Sequence, residues 1–193
     1  TNPFKRAICW VNDKGESHDF SFLELKEASD ASASFFQSLG ISRGDKVMLI
    51  LKRRYEFWFS LLALHKIGAI GIPATHLLTP KDIVYRNNAA GTKMIITVNE
   101  SEIVESVNKA MADSPTVEKL VSVGGTAPEG WASFAEGIGK AAPFVRPTGD
   151  KSSHNYDISL LYFTSGTTAN PKMVAHDFTY PLGHIITAKF WQN

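Results

Sequence analysis

Residues 158–175 read ISLLYFTSGTTANPKMVA: an apolar run, a small polar stretch, then a second short apolar run. Ile158 to Phe163 is apolar except for Ser159, as expected of a buried strand. The chain then changes character through Thr164, Ser165, Gly166, Thr167, Thr168, Ala169, Asn170, Pro171 and Lys172. Four of the first five of these residues carry hydroxyls. Gly166 lets the backbone approach a ligand closely. Successive N–H groups in a turn can form an anion-binding concavity, and Lys172 adds a mobile point charge suited to phosphate. Hydroxyls, free N–H groups and one cation, with no carboxylate among them, suit a polyanion. A surface turn rich in small polar residues is the other reading that composition allows. The stretch is not the P-loop of ordinary NTPases, because Gly166 is its one glycine and Met173 follows Lys172.

Outward from this stretch, short apolar runs alternate with amphipathic ones. Phe22, Leu25, Ala28, Ser32, Phe35, Phe36 and Leu39 fall at helical spacing, and Gly40 ends that helix. Phe22, Leu25 and Leu62 are expected in the core. Val47–Leu51 reads as a buried strand, and Tyr55–Ile67 as a deeply packed helix closed by Gly68. Ala69–Ala74 is a second strand. Thr79 caps a helix from Pro80 to about Ala89, with Pro80 at the first helical position. Lys93–Val98 and Lys119–Val123 are strands around a helix from Ser101 to Ala112. Trp131–Ile138 reads as a short helix. Asp177 or Thr179 can cap a last helix running through Pro181 to about Trp191. This alternation predicts an α/β fold around a mostly parallel sheet. Residues 140–157 hold Pro143, Pro147 and Gly149 and read as an exposed connector.

Composition narrows the function. Among 193 residues, 44% are apolar and 20% charged, as in ordinary globular proteins. Twenty basic and nineteen acidic side chains leave a net charge of +1, so no nucleic-acid partner is expected. The longest apolar stretch, Phe57–Leu64, is broken by Ser60, far short of the roughly 20 residues of a membrane span. The lone Cys9 is expected as a buried or half-buried apolar side chain, and it fits a reducing, cytoplasmic setting. The start at Thr1 reads as a processed chain or as a piece beginning inside a longer gene product. The six histidines show no zinc spacing, and no Gly-x-Ser-x-Gly elbow marks a serine hydrolase. Lys52, Arg53 and Arg54 read as a solvated patch. His176 either packs at a helix start or touches a ligand.

The run from Tyr162 to Lys172 resembles the AMP-binding signature of the adenylate-forming superfamily, which holds acyl-CoA synthetases, luciferases and the adenylation domains of peptide synthetases. The family usually has glycine where this chain has Ala169. If that position is left-handed, alanine costs about 1–2 kcal/mol. Phe20–Leu25 with Gly44–Val47, and Leu62–Pro73, resemble earlier segments of the same family, so the likeness covers most of the chain. Pro171-Lys172-Met173 followed by His176 resembles the medium-chain and acetyl-type acyl-CoA synthetases.

The resemblance implies that the chain is the N-terminal portion of the large, AMP-binding domain. It implies ATP, Mg²⁺ and coenzyme A as cofactors and co-substrate, and a small carboxylic acid, fatty or related, as substrate. It implies that Thr164, Ser165, Thr167, Thr168 and Lys172 grip the β- and γ-phosphates. The family's catalytic lysine, hinge, adenine-binding and ribose-binding motifs and magnesium-side glutamate all lie downstream of the signature. The 193 residues alone are therefore expected to be inactive. A carrier-protein-loading adenylation enzyme and a non-catalytic ATP-binding or structural fragment are the alternatives. An incomplete sheet would leave an open edge, so a homo-oligomer is also expected.

Overall fold

Helices begin where side chains satisfy their first N–H groups. Ser21 accepts from the Glu24 backbone, and the Glu24 carboxylate returns to Ser21, which starts α1 (Phe22–Ser38). Thr79 and Asp82 form the same reciprocal box at the start of α3 (Pro80–Ala90), with proline in its first turn. The computed structural model describes residues 2–164 and 170–191. Ser165, Gly166, Thr167, Thr168 and Ala169, the middle of the expected phosphate loop, lie outside the described residues.

Strands β1 (Arg6–Val11) and β2 (Ser17–Ser21) form an antiparallel ribbon ahead of α1. The main sheet uses β3 (Lys46–Ile50), β4 (Ile70–Pro73), β5 (Thr92–Val98), β6 (Lys119–Val123), β7 (Ala132–Ser133), β8 (Ile158–Thr164) and β9 (Lys172–Asp177). Among the described residues its order is β7-β6-β5-β3-β4-β8-β9. Every pairing is parallel except the β8–β9 hairpin. The remaining helices are α2 (Glu56–Ile67), α4 (Ser101–Ala110), α5 (Phe134–Gly139) and α6 (Tyr180–Trp191).

The chain passes from β3 to β4 on one side, then returns past β3 to β5 on the other. Right-handed crossovers then place α2 and α3 on opposite faces of the sheet. Helices α1, α2 and α5 pack together, and α3 packs with α4. Between these layers Val47, Met48, Leu49, Ile50, Ile72, Met94, Ile95 and Ile96 are fully buried. Strands covered on both faces read as continuous apolar runs, and that is how β3 and β5 read.

Several expectations are corrected. Phe22 is 45% exposed rather than in the core. The first turn of α1 is engaged by its cap and by backbone bonds to Pro3 and Lys5, so the inner stripe starts at Leu25. Cys9 is exposed. In the ribbon, Ile8 and Trp10 pack against the core, and alternation turns Cys9 to the other face, opposite Asp19. A hydrogen bond to Asp19 raises the Cys9 thiol pKa. Helix α2 is one-sided, with Trp58 46% exposed. Trp131 precedes a helix rather than opening it: Ser133 caps α5, leaving Ala132–Ser133 to pair with β6.

Residues 140–157 are mostly exposed and hold one 3₁₀ turn, Gly149–Lys151. Arg43 ties this segment down. Its Nε and Nη2 donate to both Asp157 carboxylate oxygens at 2.8 Å, and Nη1 donates to the Asp150 carbonyl at 3.0 Å. Gly68, at φ 74°, passes so close that a Cβ there would lie 2.8 Å from Ser153 Oγ and 3.0 Å from Arg43 Cγ.

Candidate functional site

Parallel strands bring their carboxyl ends to one rim, where the connecting loops can carry chemistry. The expected phosphate loop leaves that rim from the carboxyl end of β8 and returns as β9. Thr164 and Lys172 are the last registered pair of this hairpin. The Thr164 hydroxyl donates to the Lys172 carbonyl at 3.4 Å. Both residues are exposed, and the Lys172 ammonium has no ion pair among the described residues. No carboxylate lies in sequence between Asp157 and Asp177. The base of the hairpin thus presents a hydroxyl and an uncompensated cation on the rim.

Asn170 is exposed and Pro171 half-buried. The Pro171 carbonyl accepts from the Tyr85 hydroxyl at 3.0 Å. On the other limb, Phe163 meets the Tyr85 ring edge-on and lies under the Arg86 guanidinium. Tyr85 is 86 residues from Pro171, and no local sequence pattern joins them.

His176 belongs to a run of stacked rings at the far end of β9. Its ring centroid lies 3.9 Å from Tyr180 and 5.7 Å from Tyr162, and Tyr180 in turn meets His184 at 4.6 Å. Just ahead of α6, the Asp177 carboxylate accepts from the Thr179 hydroxyl at 2.6 Å and the Thr179 N–H at 2.8 Å, bonds that lower its pKa.

Along the same rim, a cavity of about 720 Å³ opens at the carboxyl ends of β3 and β4. Leu49, Phe57, Pro73, Lys52, Arg53 and His76 help to line it. The basic run is largely neutralised there. Lys52, held at φ 50°, pairs with Glu100 at 2.8 Å, Arg53 reaches Asp13 at 3.4 Å, and Arg54 grips Glu56. A second cavity, about 810 Å³, lies at the opposite end, by Arg43, Gly68 and Asp157. Among the described residues no cluster of His, Cys, Asp or Glu could hold a metal ion.

The AMP-binding enzyme family matches residues 1–192. The chain belongs to this family. Curated relatives agree. Rat acyl-coenzyme A synthetase ACSM5, mitochondrial (Rattus norvegicus), is 34% identical over 189 residues, or 97% of this chain and 32% of that protein. Human ACSM3, mitochondrial (Homo sapiens), is 33% identical over 191 residues, 98% of this chain and 32% of its own length. The chain therefore spans about a third of the relatives it matches. Among solved structures, an acyl-CoA synthetase from Brucella canis superposes with a TM-score of 0.80 at 25% identity, over 95% of this chain and 32% of that one. The anthranilate CoA ligase AuaEII, solved with anthranoyl-AMP, superposes with a TM-score of 0.82 at 24% identity, over 98% of this chain and 35% of that one. These AMP-binding enzymes share the mostly parallel α/β arrangement described above.

Proposed function

We propose that this chain forms the N-terminal part, residues 1–193, of a longer AMP-forming acyl-CoA synthetase, and that its β8–β9 hairpin holds the triphosphate of ATP. The observation that carries the reading is Lys172, an ammonium without an ion pair among the described residues, beside Thr164 at the mouth of a hydroxyl-rich loop. Oxygen-rich polyanions are bound by hydroxyl and N–H donors together with a point charge.

In the proposed reaction a carboxylate oxygen attacks the α-phosphorus of ATP. The bond from that phosphorus to the bridging oxygen breaks, and pyrophosphate leaves. The thiol of coenzyme A then gives up its proton to solvent as its sulfur bonds to the acyl carbon, and AMP departs with the electrons of the mixed-anhydride bond. In the first step negative charge moves onto the leaving pyrophosphate. Donors already in place offset it without reorganisation. Lys172, Thr164 and the hydroxyls of Ser165, Thr167 and Thr168 are the donors proposed, and Mg²⁺ on the nucleotide supplies further positive charge. The substrate proposed is a fatty or related carboxylic acid, since the relatives are named acyl-coenzyme A synthetases. Residues 140–157 are proposed as the exposed connector leading into β8. A cytoplasmic setting is proposed from the lone thiol, with the mitochondrion of the relatives' names as the alternative that cell fractionation would reveal.

Lys172→Ala in the full-length polypeptide tests the loop. Loss of one charge-assisted contact, worth about 1.5–3 kcal/mol, should weaken ATP binding by about 10- to 100-fold while AMP, which lacks the β- and γ-phosphates, binds nearly as before. Unchanged ATP affinity would remove the reading. The 193 residues alone should give no acid-dependent ATP–pyrophosphate exchange, and a real rate would contradict the proposed division of labour with later residues.

A further inference from the structure

Side chains of α3 touch both limbs at the mouth of the β8–β9 hairpin. Strand β8 registers with β4 through a single pair, Gly71 with Leu160. Among the described residues β9 pairs with β8 alone. The end of the hairpin that bears Thr164 and Lys172 therefore lacks ladder bonds to the rest of the sheet.

Helix α3 reaches both limbs there with two consecutive side chains. On the outgoing limb, the Tyr85 hydroxyl donates to the Pro171 carbonyl at 3.0 Å. The peptide joining Pro171 to Lys172 is planar, so fixing that carbonyl also fixes the direction of the Lys172 N–H. On the incoming limb, Arg86 lies 5.3 Å from the centre of the Phe163 ring, and Tyr85 meets the same ring edge-on at 6.2 Å. Arg86 is itself steadied: its Nη1 donates to the Asp82 carbonyl at 3.2 Å, and the Asp82 carboxylate lies 3.8 Å away. Asp82 is the partner of Thr79 in the capping box. A connected set of contacts thus runs from the first turn of α3 to both ends of the loop.

We infer that Tyr85 and Arg86 are positioning residues for the triphosphate: through Pro171 and Phe163 they fix the mouth of the β8–β9 hairpin, and with it the Thr164–Lys172 pair, against α3. The inference rests on the phosphate-loop reading of the hairpin and deepens it. Neither side chain is assigned contact with the nucleotide. Each acts through the limb it touches, Tyr85 through Pro171 and Arg86 through Phe163.

The test uses the full-length polypeptide, with Mg-ATP and AMP as probes in titration calorimetry. Tyr85→Phe deletes one hydroxyl and keeps the ring against Phe163. It should raise the ATP dissociation constant about fivefold, equivalent to about 1 kcal/mol for one neutral hydrogen bond. The AMP dissociation constant should stay put. Arg86→Met should act in the same direction, and Arg86→Lys, which keeps a cation over the ring, should recover part of the loss. Equal weakening of ATP and AMP would mean a merely structural contact and overturn the inference. Lys172→Ala separates the two levels. If it weakens ATP binding while Tyr85→Phe and Arg86→Met do not, the brace is wrong and the loop stands. If Lys172→Ala is also without effect, both fall.

Discussion

Arg43 stands at the opposite end of β8 from Lys172, and its two hydrogen bonds to Asp157 hold that carboxyl at a pKa of about 2, below its ordinary 3.8. A carboxylate depressed in the folded state stabilises the fold above its unfolded pKa. That contribution is lost as pH falls from about 3.8 through about 2. Asp157→Asn should therefore flatten the acid limb of a urea-midpoint-against-pH curve in that window, and an unchanged limb would exclude the linkage. Ala169 raises a different residue-level question, since the family's usual residue there is glycine. If the backbone is left-handed at this position, Ala169→Gly should relieve about 1–2 kcal/mol and tighten ATP binding in the full-length protein. Equal affinity and equal turnover of the two forms would dismiss the idea. Arg43, Asp157 and Ala169 are plain in the sequence, but the pairing of the first two is not. They are 114 residues apart, and only the folded chain brings them within 2.8 Å.

Elements were legible where the signals were local. The Thr79–Asp82 box and Pro80 sit within four residues, and α3 begins there. Thr79→Ala should cost about 1 kcal/mol, lowering the thermal midpoint by about 2–4 °C for a chain of this size. A shift below 0.5 °C would mean that tertiary packing, not the cap, fixes the start of α3. The same reading missed Tyr85 and Arg86, whose helical spacing marks neither as special. Their contacts with Phe163 and Pro171 arise because α3 lies across the hairpin's mouth. It also placed Trp131 inside a helix, since a one-residue cap signal at Ser133 is easily outweighed by apolar neighbours. No strand was read in residues 6–21, so nothing local indicated that Cys9 would lie on the outer face of a ribbon.

At the scale of the molecule, the sheet ends on β9, whose Met173 and Val174 are exposed, and α6 shows its apolar stripe to solvent. Leu182, Ile185, Ile186 and Phe190 recur at helical spacing and are 59–69% exposed. Apolar patches of this kind drive association. The 193-residue chain is expected to self-associate as its concentration rises. Sedimentation should show this, and Ile185→Glu with Phe190→Glu should return a monomer. A monomer at every concentration would refute the expectation.

The α/β class, the alternation of most strands and helices from α1 onward, and the hydroxyl-rich, carboxylate-free loop were set by the sequence alone. Each depends on neighbours a few residues apart, through periodicity, capping and turn chemistry. The strand order, the return past β3 that puts α2 and α3 on opposite faces, the clamp of Arg43 on Asp157 and the seating of α3 against the loop's two limbs were decided by tertiary structure. The last two join residues 77 to 114 positions apart by packing, and no local pattern encodes which distant partner a side chain will meet.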